Sequence, residues 1–142
     1  MRRGVFVDTW GWIALGHRRD ARHKKVKDFY RKLRKQRRPI FTSDYVLDEV
    51  ITLIFRRESF PEALRFMQGI FAAAEGGTVT IDRVTSARFA GAWKLRQQFD
   101  DKPLISFTDL TSMALMKELG VTDILTEDAH FTQVGMGFQK VP

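Results

Sequence analysis

Short β-prone runs recur along the chain, at Val5-Phe6-Val7, Ile40-Phe41-Thr42, Thr78-Val79-Thr80-Ile81 and Ile124-Leu125-Thr126. The first is apolar throughout, so it reads as a buried parallel strand that stops at Asp8. Helical stretches separate the runs, and residues 136–141 form a short further strand. This alternation predicts an α/β sandwich with a mainly parallel central sheet of four to five strands.

Capping residues and apolar spacing place the helices. Asp8 or Thr9 caps a helix carrying Trp12, Ile13 and Leu15. Asp20 reads as the N-cap of a longer helix, in which Val26, Phe29, Tyr30 and Leu33 form a core-facing stripe and Pro39 marks the end. Ser43 starts a helix through Phe55. Another runs from Phe60 or Pro61 to Ala74, stopped by Gly76-Gly77. A further helix spans Thr85 to Phe99, and Ser106 opens the last long one, which ends at Gly120. At 142 residues the chain is expected to form a single domain over 1–142, and it has no internal repeat or linker.

Composition removes several classes of function. There are no cysteines, hence no disulfide, thiolate metal site or cysteine nucleophile. No apolar run approaches a membrane span, and Asp8 interrupts the N-terminus before a signal-peptide core could form, so a cytoplasmic location is expected. No Walker sequence occurs, and Gly135-Met136-Gly137 lacks the surroundings of a phosphate loop. Asp8-Thr9-Trp10 lacks the second Asp of an aspartyl-phosphate phosphatase. The net charge is +7, but residues 18–38 hold 12 of the 24 Lys and Arg against two Asp, leaving the remainder at −3. A basic arm beside an acidic body suits an enzyme that attracts phosphate with one and holds a cation with the other. A solvated helix face is the plainer use of such a run.

Four carboxylates stand at the edges of otherwise apolar segments: Asp8, Glu49, Asp109 and Asp128. In open parallel sheets, ligands sit beyond the carboxyl ends of the strands. Asp8 ends the first strand, Asp128 follows the fourth, and Asp109 lies in a first helical turn facing the same rim. Glu49 and its neighbour Asp48 are not separated by periodicity. Two carboxylates about 4 Å apart repel by roughly 4 kcal/mol at an effective dielectric near 20, so a gathered cluster needs protons or a divalent cation. Each acid also has a purely architectural use. Asp8 caps a helix, Ser106 and Asp109 approximate a capping box, Asp128 caps a turn, and Glu49 sits on a surface. His17, His23 and His130 share no ligand-like spacing and read as packing or surface residues. Trp10, Trp12 and Trp93 are base-stacking candidates, but Trp12 fits a core stripe and core packing is the expectation for them.

Taken in order, these motifs resemble the PIN domain, and within it the VapC-like toxin ribonucleases of toxin–antitoxin pairs. The resemblance rests on Phe6-Val7-Asp8-Thr9, on Thr42 through Glu49, on Ser106-Phe107-Thr108-Asp109 leading to Leu119-Gly120, and on Leu125 through Phe131. It covers nearly the whole chain and selects Glu49 over Asp48. It implies a PIN-like three-layer α/β/α sandwich in which Asp8, Glu49, Asp109 and Asp128 bind Mg²⁺ or Mn²⁺. Asp8 and Asp109 would be direct ligands, Glu49 and Asp128 outer ones. Thr9, Thr108 and Thr126 would orient carboxylates or water. The implied reaction is metal-dependent hydrolysis of RNA. Arg22, Lys24, Lys25, Arg31, Lys32, Arg34 and Lys35 would hold the substrate backbone. A small cognate antitoxin and a homodimer are the implied partners. A housekeeping RNA-processing nuclease and a non-catalytic basic nucleic-acid-binding module are the alternatives.

Overall fold

The computed structural model describes residues 3–142. Its elements are β1 (Val5–Val7), α1 (Thr9–Gly16), α2 (His23–Lys35), β2 (Ile40–Ser43), α3 (Asp44–Arg57), α4 (Phe60–Glu75), β3 (Val79–Asp82), α5 (Ser86–Gln98), α6 (Phe107–Leu119), β4 (Asp123–Leu125), α7 (His130–Gln133) and β5 (Gln139–Val141). The strands form one sheet in the order β3-β2-β1-β4-β5, and every pairing is parallel. The expected sandwich is therefore observed, with five strands rather than an undecided fourth or fifth. No helix among the described residues is long and apolar enough to cross a membrane.

The strand order dictates where chemistry can sit. From β1 the chain builds outward through β2 to β3, then returns to place β4 on the other side of β1. That reversal opens a crevice at the carboxyl ends of β1 and β4. The register pairs Val7 with Leu125, so the residues just beyond, Asp8 and Thr126, emerge side by side.

Helix α1 is fixed against this crevice by close contact. Trp12 is 1% exposed, and its indole N–H donates to Thr42 Oγ1 at 3.0 Å, while the Thr42 hydroxyl donates to the Val7 carbonyl at 2.9 Å. This buried relay ties α1, β2 and β1 together and leaves no polar group orphaned. Gly11 is required for the approach. A Cβ there would lie 2.5 Å from the Leu125 carbonyl oxygen and 2.9 Å from Val7 Cγ1. We expect Gly11→Ala to destabilise the fold by about 1–3 kcal/mol through overpacking and to weaken the site by pushing α1 off β4. Chemical denaturation of the variant checks this, and unchanged stability would contradict the packing described.

Two expectations need correcting. Asp20 does not cap α2: its Oδ1 accepts from the Arg22 N–H at 2.8 Å, shaping the turn ahead of the helix, and the N-cap is Arg22 with no side-chain bond. An Asp that closes a turn and one that caps a helix have the same sequence signature, because both bond the backbone two or three residues on. Trp10 and Trp93 are not core residues, at 44% and 54% exposed. Apolar burial on α1 is carried by Trp12 and Ile13 instead.

At the opposite rim, Asp123 begins β4 almost fully buried. Arg3 reaches its Oδ1 at 2.9 Å and Arg38 its Oδ2 at 2.8 Å, so this acid is paired and takes no part in the cluster.

Candidate active site

Local structure delivers each acid to the carboxyl rim. Asp8 is the N-cap of α1, with Oδ1 accepting from the Gly11 N–H at 2.9 Å. Its other oxygen accepts a short hydrogen bond from the Thr126 hydroxyl, which in turn accepts from the Asp128 N–H at 2.9 Å. Asp109 sits in the first turn of α6, where Ser106 Oγ accepts from its backbone N–H at 3.0 Å. The capping box is thus half formed. The cap bond uses the Asp109 backbone and frees its carboxylate for other contacts. Asp128 Oδ1 accepts from the His130 N–H at 2.8 Å and turns the loop into α7.

Glu49 lies partly buried in the second turn of α3, near enough to Asp109 to raise its pKa, whereas Asp48 faces solvent. The structure therefore separates the two residues that periodicity could not. All four predicted acids lie at one rim. The tightest grouping among the described residues is Asp109, Asp128 and His130, which can each offer a ligand atom within 4.8 Å of the others.

The electrostatics show the strain of the gathering. Burial pushes Asp8 up to about 7, against the bonds from Thr126 and Gly11 that favour its charge. Burial also raises Asp109, to about 8, with Asp128, Asp8 and Glu49 adding to it. Burial pulls Asp128 upward too, yet the hydrogen bond from Asp109 and the His130 N–H outweigh it and hold Asp128 low. Burial and acidic neighbours thus favour the protonated form of Asp109, while Asp128 stays the more acidic of the two.

His130 reads from the sequence as a packing or surface residue, and its place beside Asp109 and Asp128 is the feature that reading misses. The available signal was the Asp128-x-His130 spacing within one turn. Its Nδ1 is buried without an aligned hydrogen-bond partner, although it lies 3.0 Å from Asp128 Oδ1. Of the three predicted orienting hydroxyls, Thr126 makes such a bond. Those of Thr9 and Thr108 bond no carboxylate among the described residues.

This donor set fits a divalent cation. The ligand atoms of Asp109, Asp128 and His130 lie within 4.8 Å of one another, close enough for one divalent cation to be held by all three. A cation would take the place of the proton on Asp109 and satisfy the orphaned imidazole nitrogen. With an imidazole nitrogen beside the carboxylates, the donor set suits Mn²⁺ as well as Mg²⁺.

On the basic segment, Lys24, Lys25, Arg31, Lys32, Arg34 and Lys35 are exposed on α2, whose buried face holds Val26 and Leu33. Arg22 is different: it pairs with Glu127 beside the acidic loop. The thirteen residues of α2 make a helix about 20 Å long that starts just after Arg22.

A parallel sheet with an acidic, cation-ready crevice at its switch point defines a nuclease-like α/β protein. The chain belongs to the PIN domain family, whose model matches residues 5–136. The 23S rRNA-specific endonuclease VapC20 of Mycobacterium tuberculosis is 33% identical over 132 residues, which is 92% of this chain and 94% of that protein. The crystal structure of that VapC20, described as a sarcin–ricin loop cleaving toxin, superposes with a TM-score of 0.78 at 32% identity, covering 96% of this chain and 98% of the other. The VapBC2 complex of Rickettsia felis bound to promoter DNA contains a chain of the same fold, with a TM-score of 0.72 at 12% identity and 97% of each chain covered.

Proposed function

We propose that this chain is a divalent-cation-dependent endoribonuclease of the VapC kind, with Asp8, Glu49, Asp109 and Asp128 as its catalytic and cation-holding acids and His130 as an added ligand. The observation that carries the reading is the gathering of Asp109, Asp128 and His130, whose ligand atoms lie within 4.8 Å of one another, at the rim that also holds the buried Asp8. Such a site is poised to exchange a proton for a cation. Likeness to VapC20 over most of its length makes 23S rRNA the substrate to assign, and the sarcin–ricin loop the place of cutting. A ribosomal RNA substrate supports a cytoplasmic location, and the single five-stranded sheet supports one domain over 1–142.

The reaction is hydrolysis: a water oxygen bonds to phosphorus, the bond to the leaving ribose oxygen breaks, and one proton moves from the water to the leaving group. Bound Mg²⁺ or Mn²⁺ would polarise the phosphoryl oxygen and acidify the attacking water. Asp128, ionised at neutral pH, accepts the water proton. Thr126 fixes Asp8 in one orientation by donating to it and fixes the 126–128 loop by accepting from Asp128. Lys24, Lys25, Arg31, Lys32, Arg34 and Lys35 hold backbone phosphates, while Arg22 braces the site loop through Glu127. A small antitoxin with a basic group to fill the acidic crevice, and a second copy of the chain, complete the proposed assembly.

The test is cleavage of 23S rRNA by the purified chain with Mn²⁺ or Mg²⁺, lost on adding EDTA. Reversing Lys24, Lys25, Arg31 and Lys32 to Glu should weaken binding strongly and flatten its salt dependence, since each phosphate contact contributes nearly one unit to the logarithmic salt slope. A salt slope unchanged by those reversals would remove α2 from the substrate path. A folded protein that binds RNA but never cuts it with any cation would leave the basic-module alternative in place.

A further inference from the structure

Trp10 stands two residues after Asp8 in the first turn of α1, with 44% of its surface open to solvent. The core has no need of it there, because Trp12 and Ile13 on the same helix are the buried residues. Three contacts tie it to the acidic centre. Its backbone N–H points at the Asp8 carboxylate, its side chain lines a narrow crevice with Thr126, Glu127 and Arg22, and the guanidinium of Arg57 lies 5.7 Å from the ring centroid. Arg57 ends α3, the helix that carries Glu49, and is itself exposed.

We propose that Trp10, with Arg57, is a base-stacking platform that seats an unstacked nucleotide beside the scissile phosphate, and so helps decide which RNA positions are cut. The inference rests on the endoribonuclease reading and adds a specificity residue to it. An indole face accepts any planar partner, and a guanidinium resting on it in the free protein is exchangeable for a nucleobase. The displaced guanidinium is then free to pair with the neighbouring phosphate in a bidentate fashion. The Trp10 side chain lines one crevice with Thr126, which bonds Asp8, so a base on its ring belongs to a nucleotide close to the cut. A paired, stacked base cannot reach the ring. The platform therefore selects loops, bulges and single strands, where bases splay out onto aromatic side chains.

The experiment compares the full chain with Trp10→Ala and Trp10→Phe on one cleavable RNA hairpin and on versions made abasic at single positions around the cut. Trp10→Ala should lower kcat/KM by roughly 5- to 150-fold, the range found for losing one base–aromatic stack, and Trp10→Phe should recover most of it. The deficit should disappear on the one hairpin already abasic at the stacked position. A second arm is independent of cleavage: RNA titrated into the chain without a divalent cation should quench an indole emission that Trp10→Phe lacks. Cleavage and quenching unaffected by Trp10→Ala would overturn the platform and assign this surface to a protein partner. An equal deficit on every abasic hairpin would overturn it too. Quenching without turnover by the unmutated chain would instead sink the nuclease reading and leave Trp10 as an RNA-stacking residue with no cut to position.

Discussion

Replacing Asp8 with Asn is expected to stabilise the cation-free protein at pH 8 by roughly 2–4 kcal/mol while reducing RNA cleavage by roughly 10²- to 10⁴-fold. Asp8 is 2% exposed, and burial raises it from 3.8 to about 7, so keeping it ionised at pH 8 costs folding free energy. Asn preserves the shape and both contacts: its carbonyl accepts from the Gly11 N–H, and its amide donates to the Thr126 oxygen. The lost activity reflects the several kcal/mol of charge stabilisation a held cation supplies. A thermal melt in EDTA and a cleavage assay read the two effects. The cleavage arm is the diagnostic one, because Asn caps a helix about as well as Asp and a carboxylate serving only as a cap would leave cleavage unchanged. A variant less stable than the parent at pH 8, or one with full activity, would contradict the assignment. Added Mn²⁺ should raise the melting temperature of the parent much more than that of Asp8→Asn.

The second large effect is the pH dependence of stability without cation. In the folded chain Asp8 holds its proton to about pH 7 and Asp109 to about pH 8, whereas in the unfolded chain both release it near 3.8. Between these values the folded state binds more protons, so the stability these groups contribute is complete below about pH 4 and is lost as pH rises through 7 to 8. Asp128, held low, acts in the opposite sense and only in acid, where its contribution falls away as pH drops through its folded value. The net expectation is a decline of roughly 1–3 kcal/mol per pH unit at its steepest in EDTA, corresponding to one to two protons. Saturating Mn²⁺ should flatten it, since the cation takes over from the protons. Urea denaturation at pH 5, 6, 7 and 8 measures the slope. Stability that rises across that range in EDTA would show that the acids are not crowded.

Where the amino-acid order expresses a physical constraint directly, the reading and the structure agree. Val5-Phe6-Val7 has no polar face to present to water, so a doubly covered strand is its only comfortable place, and Asp8 follows where the cover ends. Ser43, Thr85 and Ser106 all cap their helices as read, because a hydroxyl one residue ahead of a helix has few other uses. The disagreements fall where one local signature serves two geometries. Asp20 closes a turn that looks like a cap. Trp10 and Trp12 differ by two positions, which is enough to put them on different sides of α1, and no periodicity over a helix of eight residues separates them. His130 joins the acids because a loop folds back, and loop conformation is set by the Thr126 and Asp128 backbone bonds rather than by any repeat. Glu49 against Asp48 was open to the residues alone and was decided by resemblance. The structure supplies the cause, since Glu49 turns toward Asp109 and Asp48 toward water.

The crevice between β1 and β4 has a temporal consequence. Asp8 leaves a translating ribosome early, but the strand that walls it in and the hydroxyl that orients it lie at residues 123–126, the hydroxyl 118 residues further along the chain. Until that segment emerges, a growing chain carries its first three acids with no opposite wall to confine them. A nuclease assembled in this order cannot close its acidic site until the β4 segment has been made.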